Sequence, residues 1–222
     1  MDISKIKELI TEKKTETENK LHEKYGIDFV VTAVGKFATY ITGPAYAAQC
    51  HPADDEALFF ETMMYEQGKT MKDKYREALL AEAMKERMSK PVSEIAKEFA
   101  FVMDFTTLAD DYEKGMDPKQ YNSENNCTFY TVLAINTDAE CNIEPEPLYN
   151  ALCAMYKELG PVNGGIRLYL ADEDEFADIK EFSMKNRRID SDLLQMCEGS
   201  FFATVENSEI KEDIEEMKNI LY

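Results

Sequence analysis

At 222 residues, with 44% hydrophobic and 11% aromatic side chains, the chain is long enough to bury a core as one large or two small domains, which excludes a disordered polypeptide. Its formal net charge of -19, from 25 Lys+Arg against 44 Asp+Glu, leaves no basic footprint for DNA, RNA or an anionic membrane surface. The charge is lopsided: Met1 to Lys90 carry 14 basic against 16 acidic residues, whereas Pro91 to Tyr222 carry 11 against 28, a net of -17.

Ile3, Ile6, Leu9 and Ile10 recur at helical spacing, and the polar run that follows extends a long, mostly solvated helix until Gly26 stops it. From Ile27 to Tyr65 the residues become β-branched and aromatic, with breaks at Gly43-Pro44 and Asp54-Asp55, the pattern of three or four antiparallel strands. After a turn at Gly68, Met71, Tyr75, Ala78, Leu79 and Ala83 line one helical face. Pro91 fits the start of a further helix, with Val92, Ile95, Phe99 and Met103 on its buried side. The mixed, Asn-rich stretch from Asp104 to Asn126 reads as a short helical piece and a flexible loop, with proteolysis expected first between Asp117 and Asn126.

Beyond it, strands at Thr128 to Ile135, Ile166 to Leu170 and Phe201 to Val205 alternate with amphipathic helices. The expected architecture is α+β: residues 1–90 form an antiparallel α-β-β-β-α module, and residues 91–222 an acidic β-α-β-α-β-α module. The sequence shows no internal repeat and no low-complexity segment.

Candidate chemistry is sparse. The five cysteines, Cys50, Cys127, Cys141, Cys153 and Cys197, are too far apart for a metal knuckle and odd in number, which fits free thiols in a reducing compartment, and Cys127 and Cys153, inside apolar runs, read as small buried hydrophobes. Gly68-Lys69-Thr70 lies in a phosphate-loop context, but the glycine needed five residues earlier is Met63. Histidine chemistry is confined to His22 and His51, and His51 beside Cys50 in a strand points to the opposite face. The aromatics Tyr40, Tyr46, Phe59, Phe60 and Tyr65 read as strand core rather than a ligand groove. The acids Asp172-Glu173-Asp174-Glu175 open a helix, where an N-cap and a capping box explain them. If the C-terminal strands run parallel, Asp138, Asp172, Asp174 and Glu206 gather at one sheet edge as hard oxygen ligands for Mg²⁺ or Ca²⁺.

Glu23-Lys24-Tyr25-Gly26-Ile27-Asp28-Phe29-Val30, leading through Tyr46-Ala47-Ala48 to His51-Pro52-Ala53-Asp54, resembles the start of small uncharacterised proteins of Gram-positive bacteria, many of them surface lipoproteins. The resemblance spans about the first 90 residues and implies an α+β module with no catalytic role. The chain has neither the signal peptide nor the lipobox cysteine of the lipoprotein members, and as written it reads as cytoplasmic, with a surface or secreted location open if a signal was removed.

The resulting expectation is a non-enzymatic binding or interaction protein with no cofactor and no membrane span. One alternative is an enzyme or ligand-binding domain that uses the acidic sheet edge. Another is an acidic inhibitor or immunity-type protein that masks a basic protein partner.

Overall fold

The computed structural model describes residues 3–39, 43–65, 70–107, 109–139, 143–185, 189–197 and 200–221, with backbone alone at 37–39 and 185. The fold is α+β, with seven helices and two sheets among these residues. The chain divides into two compact units, Met1–Ala78 and Leu79–Tyr222. No described helix is long and apolar enough to cross a membrane.

In the first unit, α1 (Ile3–Tyr25) precedes a meander of β1 (Phe29–Thr39), β2 (Gly43–Pro52), β3 (Phe60–Tyr65) and β4 (Thr70–Asp73), each antiparallel to the next. The helix buries Thr17 and Leu21 and leaves most of its surface in water, as its polar sequence requires. It also answers the backbone of the edge strand at the bulge between Val31 and Ala33. There Val31 N–H donates to Glu18 Oε1 at 3.0 Å, and Lys14 Nζ donates to Thr32 O at 3.3 Å. Orphan strand groups are thereby satisfied by side chains rather than left open to a further strand.

Tyr25, Phe29, Phe60 and Tyr75 pack with centroids 4.8–5.8 Å apart, mostly edge-to-face, the arrangement the ring quadrupole favours. Beside them Asp73, its side chain 1% exposed, accepts from Tyr25 Oη at 2.5 Å, Lys24 Nζ at 2.8 Å and Tyr75 N–H at 3.3 Å. One carboxylate thus ties the end of α1 to the first turn of α2 (Tyr75–Ser93).

In the second unit five strands lie in the order β5 (Phe99–Phe105), β6 (Thr128–Asn136), β7 (Asn163–Ala171), β8 (Phe201–Glu206) and β9 (Glu209–Ile210). β6 and β7 are parallel; the other pairs are antiparallel. The parallel pair is bridged by α4 (Pro145–Lys157), which buries Leu148, Ala151, Leu152, Met155 and Tyr156 and stacks Tyr156 on Phe129. Leu133, Ile135, Ile166, Leu168, Phe201, Ala203 and Val205 fill the same face of the sheet. At the start of β7 only glycine fits: Gly164 has φ +138°, and a Cβ there would lie 1.7 Å from Phe129 O.

Several expectations differ from what is observed. Pro91 does not start a helix: α2 runs through it and ends two residues later, with Met84, Met88 and Val92 buried at helical spacing, and the missing N–H leaves the Arg87 carbonyl without its helical donor. The expected module boundary at Pro91 and the observed division at Ala78 both fall on α2. Phe99 to Met103, expected on a helix, form β5. The short helical piece expected between Asp104 and Asn126 is α3 (Pro118–Asn125), which occupies the segment where first cleavage was expected, capped by Asp117 Oδ1 on Lys119 N–H at 2.8 Å and closed by Asn126 at φ 49°. Tyr121 and Asn122 are buried in it, and Asn122 Nδ2 donates to Leu159 O at 2.8 Å. The short strands β4 and β9 add to the expected set, and α5 (Glu173–Lys185) is followed by α6 (Ser191–Met196) before β8, while α7 (Ile214–Leu221) ends the described chain.

Candidate functional site

The nucleophiles are sheltered. Cys50, Cys127 and Cys197 are buried and Cys153 is half-buried. Burial pushes the Cys50 thiol up to about 12 and those of Cys127 and Cys197 up to about 11, far from the thiolate a nucleophile needs. His51 is buried, its Nδ1 2.7 Å from Pro52 O and its ring edge-on to Phe59. His22 lies exposed, 3.0 Å from Asp28 Oδ1. Tyr46 and Phe60 are core residues and Phe59 and Tyr65 half-buried. Tyr40, Cys141, Glu140 and Gly68-Lys69 lie outside the described residues.

Of the acids expected at one sheet edge, two groups meet and one does not. Asn136 ends β6 beside Ala171 at the end of parallel β7, and these two termini bring Asp138 next to the Asp172–Glu175 run. Buried Asn136 donates through Nδ2 to Glu98 Oε2 at 3.1 Å and accepts from Asp138 N–H at 3.0 Å. Asp138 Oδ2 accepts from Glu173 N–H at 3.0 Å. Asp172 Oδ1 accepts from Glu175 N–H at 2.9 Å, and Glu175 Oε2 accepts from Asp172 N–H at 3.4 Å, a reciprocal capping box. Asp174 stands exposed in the first turn of α5.

Glu206 is elsewhere. β8 runs antiparallel to β7, so Val205 sits beside Gly164 at the start of that strand, seven residues, or roughly 23 Å, from Ala171. Its carboxylate lies 3.4 Å from Lys211 Nζ. The four-acid edge is therefore not assembled: α5 and α6 bring the chain back to the end of the sheet where β7 finishes, Phe201 pairing with Leu168, so β8 runs antiparallel and carries Glu206 to the opposite end. Among the described residues no group of three or more His, Cys, Asp or Glu side chains is placed to hold a metal ion.

The other feature of this unit is a sheet face covered over half its length. Phe176 and Ile179 of α5 and Leu193 of α6, with Cys197 just beyond it, pack on Ala100, Val102, Val132, Ala134, Tyr169 and Ala171. Further along the same face, register places Asp104, Tyr130, Gly165 and Thr204 in one row across four strands, and Arg167 beside Phe202 in the adjacent row. Here Tyr130 is 42% and Phe202 44% exposed. Phe202 leans across Gly165: a Cβ at 165 would lie 2.9 Å from its Cε2 and Cζ. Arg167 Nη1 donates to Ser200 Oγ at 2.7 Å, and its guanidinium carbon is 5.8 Å from the Phe202 centroid. Thr204 N–H and Oγ1 both donate to Glu212, at 2.6 and 3.1 Å. Composition hid this patch. Its one signal was the alternation Phe201 to Glu206, which sets Phe202 on the side of Thr204 and Glu206.

No protein family's sequence profile matches the chain, and no curated protein matches it in sequence. A crystal structure of a DUF5037 family protein from Ruminococcus gnavus is similar to it, with a TM-score of 0.68 and 18% identity over 93% of this chain and 98% of that one. At that identity the likeness is one of fold.

Proposed function

We propose that the chain is a non-enzymatic interaction protein whose Leu79–Tyr222 unit receives a basic protein partner. The observation that carries this reading is charge: that unit holds 14 Lys+Arg against 30 Asp+Glu, while Met1–Ala78 holds 11 against 14. Many of these acids stand exposed, among them Glu173, Asp174, Asp178, Glu206, Glu209, Glu215 and Glu216, so their field reaches into solvent and steers a cationic partner. Affinity capture with the full chain and cross-linking tests the reading. The expected result is a discrete partner of basic isoelectric point that is released by raised salt. A partner set that is neutral or acidic and salt-insensitive, or turnover of a substrate by the purified chain, overturns it.

A further inference from the structure

Resting on that reading, we propose where the partner docks: on the uncovered half of the sheet face, where Tyr130 and Phe202 seat a Lys- or Arg-bearing segment and Asp104, Glu206 and Glu209 face its charge. Three observations lead there. The first is that the strand positions left bare by α5 and α6 carry two large aromatics where solvent-facing strand positions are ordinarily small or polar. They sit on either side of Gly165, whose missing side chain lets the Phe202 ring lie across the strand. The second is the rim. Asp104 is the direct neighbour of Tyr130, and Glu206 and Glu209 pair with one another on the same face, with side chains 61% and 77% exposed. Arg167 beside Phe202 and Lys211 paired to Glu206 and Glu209 offset part of this charge, but acids remain in excess at the rim, and an apolar centre edged by a surplus of one sign suits a contact of the opposite sign.

The third observation selects among occupants. A second copy would bring another chain of net charge -19, and another acidic rim, onto this one. A cationic side chain instead gains an ion pair and the face of an aromatic ring together. Lys211 already makes the ion-pair half of this chemistry, its Nζ 3.4 Å from Glu206 and 3.6 Å from Glu209. Arg167, bound to Ser200 and flanking Phe202, keeps incoming cations toward the Asp104 and Glu206–Glu209 sides.

The test uses the full chain, a fluorescein-labelled peptide of alternating lysine and leucine, and fluorescence polarisation at fixed ionic strength. Phe202→Ser removes the exposed ring and Glu206→Gln/Glu209→Gln removes two charges; Asp174→Asn/Asp178→Asn removes two exposed charges on α5. Wild type is expected to bind, with the first two variants weakened about fivefold or more and the third less than about twofold. Equal weakening by the two charge-removing doubles means that net charge alone attracts the peptide, which overturns this site and leaves the interaction reading standing. No binding by wild type sinks the interaction reading itself. Self-association seen by sedimentation and abolished by Phe202→Ser assigns the patch to a second copy and overturns the cationic partner.

Discussion

Replacing Asp73 tests how the first unit is held together. The carboxylate accepts three donors while its side chain is 1% exposed. The charge-assisted bond from Tyr25 contributes about 1.5–3 kcal/mol, and the cap on Tyr75 N–H about 1 kcal/mol. Lys24, half exposed, adds less than about 1 kcal/mol because water screens the pair. Asp73→Ala is therefore expected to destabilise the Met1–Ala78 unit by roughly 3–5 kcal/mol. Asp73→Asn keeps an oxygen for Tyr25 and Tyr75 but turns an amide toward Lys24, and should cost only about 1 kcal/mol. Urea unfolding followed by circular dichroism, with hydrogen exchange of peptides from residues 43–65, reads both the size and the place of the loss. A cost for Asp73→Ala below about 1 kcal/mol, or lost protection confined to residues beyond Ala78, would refute the reasoning.

Burial and the Asp73 bond push the Tyr25 hydroxyl up to about 12, and burial does the same for the Cys50 thiol. Folded values above the ordinary 10.0 of the phenol and 9.0 of the thiol mean stability that is fully present below pH 10 for Tyr25 and below pH 9 for Cys50 and is lost as pH rises toward 12, so Tyr25→Phe should flatten the alkaline limb of a melting-temperature profile; an unchanged limb counts against this. Peptide mapping after iodoacetamide at pH 8 should find Cys153 labelled ahead of Cys50, Cys127 and Cys197, and labelling of Cys50 first would contradict the burial described. Gly164→Ala should destabilise the second unit by about 2–5 kcal/mol through backbone strain and overlap with Phe129 O, and a melting temperature equal to wild type would show that β6 and β7 separate readily. With Asp138 and Asp172 occupied by backbone N–H groups, millimolar Mg²⁺ or Ca²⁺ should raise the melting temperature no more than monovalent salt of matched ionic strength. A larger shift, abolished by Asp172→Asn/Asp174→Asn, would establish a cation site there.

The α+β class and most helices were legible because their apolar residues keep one period over several turns, as in α4 with Leu148, Leu152 and Met155. β5 was not, because Ala100, Val102, Phe101 and Met103 are buried on both sides of the sheet, which erases the alternation that marks a strand and leaves a run equally readable as a helix. In the Asn-rich stretch a short helix was legible but its anchoring was not, since Asn122 is a polar residue buried on the Leu159 carbonyl while exposed Asn126 closes the helix. Strand direction decided the fate of the acidic edge. The N-cap and capping box at Asp172 and Glu175 could be read from spacing alone, whereas the separation of Glu206 follows from the antiparallel entry of β8, which no local pattern encodes. Likewise, which half of a sheet face its helices leave bare depends on where α5 and α6 lie, so Tyr130 and Phe202 emerged only from the fold.

The central claim is that a cationic partner is received on that bare half-face. Amide chemical-shift mapping of the isotope-labelled full chain during titration with the lysine–leucine peptide addresses it most directly. The account expects saturable shifts concentrated at Asp104, Tyr130, Gly165, Phe202, Thr204 and Glu206, with the amides of Glu173 to Asp178 nearly still. Shifts spread evenly over the exposed acids of the chain, or centred on the start of α5, would contradict it.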